Sequence, residues 1–335
     1  MTGKALAGMI GRAWNSQTAA RLTTSYLAVP EKSQPTRPRG GRAAGPAHRV
    51  EGDMERHRIV QDVRVPVFIY GTAWKEGRTE ELTRLAIDAG FLGIDTANQR
   101  RHYVEDAVGA AVASVLQEGG LRRADVFVQT KFTSVDGQDQ RIPYDPAADE
   151  ATQVRQSFEI SLAHLRTGYV DSYVLHGPSS RRGVARSDWN VWRAMEELRR
   201  EGKARLIGIS NVSLDQLAAI HEDSEVKPAV VQNRCVASTG WDREVRAFCR
   251  ANDIVYQGFS LLTANTRELR SPAVTRAAQR TGRTAAQVVF RFALQSGMIP
   301  LTGTSSPAHM REDLDCFGFD LDAAEVEAID RVAGR

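Results

Sequence analysis

Four residues with complementary proton chemistry stand at or near the ends of short apolar runs. Asp95 closes Phe91–Asp95, Lys131 closes Val126–Lys131 and His176 closes Val170–His176; Tyr103 lies in the polar stretch after Asp95. A phenol is a weak acid, with an ordinary pKa of about 10. A nearby ammonium favours the phenolate and lowers that value. A carboxylate beside the lysine holds the ammonium charged and placed, and a neutral imidazole can orient and polarise a carbonyl oxygen. Together the four would deliver a proton to an oxygen that becomes negative. The matching reaction is hydride addition to a carbonyl. No side chain supplies hydride, so a nicotinamide cofactor is required. Taken singly, each residue has a plainer use: Asp95 as a helix cap, Lys131 as a solvated cation, His176 as a satisfied loop residue. Their shared place at strand ends favours a site.

The elements that must position them follow from hydrophobic periodicity. Eight β-rich apolar runs are present: Val65–Tyr70, Phe91–Asp95, Val126–Lys131, Val170–His176, Arg205–Ser210, Ala229–Asn233, Ile254–Phe259 and Met298–Leu301. Between them lie stretches of 3.6-residue period, among them Thr79–Ala89, Val104–Leu116, Thr152–Leu165 and Thr284–Leu294. Ser213 with Gln216, and Thr284 with Gln287, have the spacing of capping boxes. This alternation predicts an α/β fold, a (β/α)8 TIM barrel whose active site lies at the carboxyl ends of the strands. A doubly wound sheet would want a G-x-G-x-x-G turn after an early strand, and the sequence has none. Arg56–Val63 reads as a hairpin closing the barrel floor.

The chain has 335 residues, 42% hydrophobic and 25% charged, which suits a globular protein and excludes collagen-like, disordered and disulfide-scaffold classes. No apolar run approaches a membrane span. Cys235, Cys249 and Cys316 have neither metal-ligand spacing nor a close pair, so no metal is expected and a cytoplasmic, reducing compartment is. The net charge of +3 is uneven. Residues 1–50 carry eight Lys/Arg against Glu31 alone, so the rest of the chain is net acidic and nucleic-acid binding is not expected. Two domains result: a disordered or targeting extension over 1–53 and a barrel over 54–335. For the extension, an organellar transit peptide and a bland tail ahead of a true start at Met54 are the two readings.

At the strand ends the sequence resembles the aldo-keto reductase superfamily, over about residues 64–333. Gly71-Thr72-Ala73-Trp74 resembles its GTxW segment, Gly93-Ile94-Asp95-Thr96-Ala97 its G-x-D-T-A segment, Thr130-Lys131 its third-strand TK, and Leu175-His176-Gly177-Pro178 its LHxP segment. Gly208-Ile209-Ser210-Asn211 and Gln232-Asn233 resemble the segments that hold the nicotinamide carboxamide. The resemblance implies Asp95, Tyr103, Lys131 and His176 as catalytic residues. It implies a cofactor, NADP(H) with NAD(H) as the alternative, held in an extended pose by Thr72, Ser210, Asn211, Gln232, Phe259, Ser260, Leu262, Gly303, Thr304, Ser305, His309, Glu312 and Asp313. Trp74, Phe132 and Trp241 read as apolar walls of a substrate pocket.

Three departures from the family pattern stand out. The family places its tyrosine five residues after the aspartate, which here is Arg100; the Glu105-x3-Gly109 pattern fits a two-residue insertion that brings Tyr103 near the expected place, with His102 as the alternative donor. Phe259 replaces a tyrosine that stacks on nicotinamide. The Lys and Arg that grip the adenosine 2′-phosphate are missing from Leu301–Pro307 and the residues after it, leaving hydroxyls, helix-start N–H groups and Arg311. The leading expectation is a reductase of small aldehydes or ketones, sugars among them, working as a monomer or weak oligomer on small molecules. The alternative is a cofactor-binding regulatory protein of the same fold with little turnover.

Overall fold

The computed structural model describes residues 56–332. The expectation for residues 1–53 falls outside them. Eight parallel strands close into a barrel: β3 (Ile69–Gly71), β4 (Gly93–Asp95), β5 (Phe127–Phe132), β6 (Ser172–Leu175), β7 (Ile207–Ser210), β8 (Val230–Arg234), β9 (Val255–Phe259) and β10 (Ile299–Thr302), with β10 pairing back onto β3. Each strand pairs with its sequence neighbour, as right-handed βαβ crossovers demand. All six residues of β5 are buried, the signature of a strand covered on both faces.

The hairpin forms from β1 (His57–Val60) and β2 (Val63–Pro66), antiparallel with His57 opposite Pro66. Gln61 and Asp62 make its turn at φ 45° and 66°, the left-handed backbone that a two-residue hairpin turn requires. Val60, Val63 and Val65 pack with Phe127, Leu206, Val230, Val255 and Ile299 at the amino ends of the strands, so the hairpin closes the barrel floor. The run Val65–Tyr70 is therefore divided. Val65 belongs to the hairpin, and the barrel strand starts at Ile69.

Helices α1 (Thr79–Ala89), α2 (Glu105–Glu118), α3 (Glu150–Leu165), α4 (Arg186–Arg200), α5 (Leu214–Asp223), α6 (Arg243–Ala251), α7 (Pro272–Thr281) and α8 (Ala285–Gln295) lie between successive barrel strands, and α9 (Pro307–Leu314) and α10 (Ala323–Asp330) follow β10. Both capping boxes form: Gln216 Oε1 accepts from the Ser213 N–H at 3.1 Å and Gln287 Oε1 from the Thr284 N–H at 3.0 Å. Two contacts lock α2, and through it the active-site loop. Gly109 allows α2 to meet α3 so closely that an added Cβ would sit 1.9 Å from the His164 carbonyl. Glu105, buried, accepts from the Thr130 hydroxyl on β5 and meets His164 Nδ1 at 3.0 Å. Among the described residues no helix is long and apolar enough to cross a membrane.

Candidate active site

The carboxyl ends of β4 and β5 bring Asp95 and Lys131 into a buried ion pair. Lys131 Nζ donates to Asp95 Oδ1 and Oδ2, both at 2.7 Å, and to the Thr96 carbonyl at 2.8 Å. Three acceptors match the three N–H bonds of an ammonium. Burial lowers the Lys131 pKa from its ordinary value, and Asp95 opposes that shift. Asp95 Oδ1 also accepts from Gln129 Nε2 at 2.7 Å and Gln232 Nε2 at 3.0 Å. Thr72 braces its backbone, donating both N–H and hydroxyl to the Asp95 carbonyl at 3.0 and 2.9 Å.

Tyr103 sits over this pair. Lys131 Nζ is 5.3 Å from the centre of its ring, and the His176 ring lies 6.0 Å away at 68°. A turn leads the loop to Tyr103, in which the N–H groups of His102 and Tyr103 both donate to the Gln99 carbonyl. Glu105 anchors the loop on its far side. His102 is directed elsewhere: its ring packs against Trp74, centroids 3.9 Å apart and planes tilted by 41°, and its carbonyl accepts from the Trp74 N–H at 2.7 Å. Burial, with Arg101 beside it, pushes the His102 imidazole down to about 4. The expected lowering of the phenol's pKa is overturned. Burial, reinforced by the Asp95 charge, raises the Tyr103 pKa above its ordinary value.

His176 follows β6, its N–H donating to the Phe132 carbonyl at 2.9 Å. Its Nδ1 is 2.7 Å from the Thr133 hydroxyl. Thr133 Oγ1 has no other partner among the described residues. With the hydroxyl proton directed at Nδ1, Nε2 carries the ring proton. Burial, then Lys131 and His102, push His176 down to about 3, so the ring is neutral at physiological pH.

The residues assigned to the cofactor fall into two groups. Ser210, Asn211 and Gln232 lie beside the four residues above. The Ser210 hydroxyl donates to the Gln232 carbonyl at 2.6 Å, and Asn211, at φ 53°, donates from Nδ2 to the His176 carbonyl at 2.8 Å. Across the mouth, Phe259 ends β9 and Ser260 and Leu262 follow it, all three half-buried, with Ser260 at φ 58°. Gly303 and Ser305 are exposed and Thr304 half-buried after β10; the Tyr70 hydroxyl holds the Thr304 carbonyl at 2.8 Å. Ser306 caps α9 by accepting from the His309 N–H at 3.3 Å. Glu312 is exposed on α9.

Three placements correct the sequence reading. Asp313 is buried, with Oδ2 accepting from the Thr302 hydroxyl at 2.8 Å, so it braces β10 against α9. Phe132 is fully buried and stacked on Tyr144 at 5.6 Å. Trp241 is fully buried, with Nε1 donating to the Ile329 carbonyl at 3.0 Å. Both belong to the core. Trp74, 43% exposed at φ 63°, is the one of the three aromatic residues that stands open at the mouth. Sequence reasoning missed Gln129, Gln257, Thr133 and Lys75. The two glutamines did leave a signal, since each is a polar residue inside a run otherwise built for the core. Lys75 Nζ donates to the Gly303 carbonyl and has no carboxylate partner among the described residues.

Fold and site define an eight-stranded parallel barrel with a buried Asp–Lys pair, a tyrosine and a neutral histidine at its carboxyl mouth. Residues 70–333 match the profile of the aldo/keto reductase family. The chain belongs to that family, whose members carry out carbonyl reduction as oxidoreductases. It is 28% identical over 296 residues to "Aldo-keto reductase family 1 member C3" of Homo sapiens, covering 79% of this chain and 87% of that one. It is 29% identical over 275 residues to "Glyoxal reductase" of Bacillus subtilis (strain 168), covering 82% and 91%. An aldo/keto reductase structure from Brucella melitensis superposes with a TM-score of 0.70 at 27% identity, covering 82% of this chain and 98% of that one.

Proposed function

We propose that this chain is an NADP(H)-dependent reductase of small aldehydes and ketones in which Tyr103 is the general acid. The observation that carries this reading is the placement of the Tyr103 ring, 5.3 Å from Lys131 Nζ and 6.0 Å from the His176 ring, while His102 is packed away against Trp74. A bound NADP(H) supplies the hydride that no side chain can provide. The carbonyl oxygen of the substrate is received between the Tyr103 hydroxyl and His176 Nε2. His176, neutral and oriented by Thr133, donates a hydrogen bond to that oxygen and polarises the carbonyl. Tyr103 gives its proton as negative charge develops. Its raised pKa keeps the phenol protonated until then, and the Lys131 ammonium favours the phenolate left behind.

The residues present fit the cofactor. Gln232 Oε1 is without a hydrogen-bond partner among the described residues and is not sealed from solvent, so an acceptor is available for a carboxamide N–H beside the four catalytic groups. Asn211 and Ser210 flank it, and the Phe259 ring can stack on nicotinamide. On the far side of the mouth, Lys75 brings a positive charge to the Gly303–Ser306 loop, where the family's usual cations are missing. Trp74 borders the substrate entrance.

The test is NADPH oxidation with a panel of small aldehydes and ketones, run beside fluorescence titrations with NADPH and NADH. Turnover with tighter NADPH binding is the expected result. Tight NADPH binding with no turnover on any carbonyl would replace the reductase with a cofactor-binding regulatory protein of the same fold. Tighter NADH binding would overturn the cofactor assignment.

A further inference from the structure

Beneath Asp95 the barrel interior holds a closed set of three buried glutamines, one each from β5, β8 and β9: Gln129, Gln232 and Gln257. Gln257 Oε1 accepts from Gln129 Nε2 at 2.7 Å and from Gln232 Nε2 at 2.9 Å. Gln257 Nε2 returns a bond to Gln129 Oε1 at 3.1 Å. The second proton of Gln129 Nε2 and of Gln232 Nε2 goes to Asp95 Oδ1. An amide hydrogen-bonded to a carboxylate that only accepts must present its NH2 side. With Gln257 Oε1 taking the other proton, neither Gln129 nor Gln232 can flip without placing oxygen against oxygen in a buried site, where an unmade hydrogen bond is costly.

One group is left over. Gln232 Oε1 has no partner among the described residues and is not closed off from solvent. The network therefore turns a two-faced amide into a one-way acceptor beside the catalytic groups. The geometry points to Gln129 and Gln257 as positioning residues: they act through Gln232, holding its oxygen outward to accept from the carboxamide N–H2 of a nicotinamide, so that the site prefers cofactors carrying that donor. This rests on the proposed nicotinamide-dependent reading. It adds two residues that touch neither cofactor nor substrate and assigns them a part in cofactor discrimination.

The experiment compares dissociation constants for NADP+ and for its 3-acetylpyridine analogue, in which an acetyl group replaces the carboxamide and no N–H remains. Wild type, Gln257→Met and Gln129→Met are titrated, with melting curves confirming that each is folded. Wild type is expected to bind NADP+ about tenfold more tightly than the analogue, the weight of one hydrogen bond. In Gln257→Met the ratio is expected to fall to about threefold, because Gln232 loses one of the two bonds that hold its NH2 inward and only Asp95 Oδ1 still opposes a turn toward an acetyl oxygen. Gln129→Met, which leaves Gln257 bonded to Gln232, should give an intermediate ratio, and it keeps the test open if Gln257→Met does not fold. A loss of stability alone would lower both affinities together and leave the ratio at the wild-type value. An unchanged ratio in folded variants, with wild type binding NADP+, overturns the positioning role and spares the reductase reading. Failure of wild type to bind any nicotinamide dinucleotide overturns both.

Discussion

The two sides of the barrel mouth are built in different ways. On the β4–β6 side, Asp95, Lys131, Tyr103 and His176 are held by buried contacts, and every proton on Lys131 has a partner. On the β10 side the loop from Gly303 to Ser306 is largely exposed, carries hydroxyls in place of cations, and borrows its charge from Lys75 on the β3 loop. The first side is preorganised for chemistry, where a displacement of about 1 Å can cost a hundredfold in rate. On the proposed reading the second needs only to attract an anion, which a single flexible cation and a few hydroxyls can do with less exact placement. Changes on the first side should therefore act on turnover and stability, and changes on the second on cofactor affinity.

The comparison breaks most severely at Lys131. Lys131→Met is expected to reduce kcat at least a hundredfold and to cost about 3–5 kcal/mol of stability, because Asp95 is left as a buried charge without its counter-ion. The double variant Asp95→Asn/Lys131→Met should regain most of that stability and none of the activity. Thermal melts and steady-state kinetics on the three proteins check both halves, and turnover of Lys131→Met within tenfold of wild type would refute the ion pair's catalytic part.

Next comes the proton donor. Tyr103→Phe should lower kcat by about 10²–10⁴, the usual range for general acid catalysis, with little change in the NADPH dissociation constant. His102→Ala should stay within about tenfold of wild type, since its ring packs against Trp74 and its pKa of about 4 leaves no imidazolium to act as the acid near neutral pH. A dead His102→Ala beside an active Tyr103→Phe would reverse the assignment.

On the opposite side, burial and then the neighbouring Arg78 push Lys75 down to about 8. The cation is present below that pH and lost above it. The NADPH dissociation constant of wild type should therefore rise as pH goes from 7 to 9. Lys75→Met should bind about tenfold more weakly at pH 7, in line with loss of a charge-assisted hydrogen bond, and show a flat profile over that range. Parallel pH profiles for the two proteins would remove Lys75 from the cofactor site.

The smallest effect is expected at Asp313, which lies beneath the β10 loop. Burial raises its pKa from 3.8 to about 7. Between those values the folded protein holds a proton that the unfolded chain releases, so the group's stabilising contribution is present at low pH and lost as pH rises through about 7. Asp313→Asn should flatten this slope, melting a few degrees above wild type at pH 8 with a smaller gap at pH 5. A steeper wild-type loss at acid pH than at pH 8, retained in the variant, would place the titration elsewhere.

Much of the catalytic side was legible in the chain because strand ends are local features. An apolar run ending in Asp95, Lys131 or His176 states both the strand and the residue at its tip, and the capping boxes at Ser213 and Thr284 mark helix starts within four residues. The alternation of runs and amphipathic stretches determined the barrel, since parallel strands joined by helices have few ways to close. The sequence favoured Tyr103, the only tyrosine of its loop, over His102 but did not place either ring. Both lie in one turn, and it took the anchoring of Glu105 on β5 and α3 to show which ring faces Lys131. Residue type alone could not separate a pocket wall from packing at Phe132, Trp241 and Trp74, because burying an aromatic ring and exposing it to a substrate use the same apolar surface.

The sequence by itself determined the fold, the family and which residue types stand at each strand end. Only the tertiary structure decided the contacts made across the barrel. Gln129 meets Gln257 over 128 residues of chain, Gln232 meets Asp95 over 137, and Lys75 reaches Gly303 over 228. No local pattern encodes such pairs. They arise when closure of the sheet brings distant strands to one axis, where buried polar groups must find partners in one another because water is excluded.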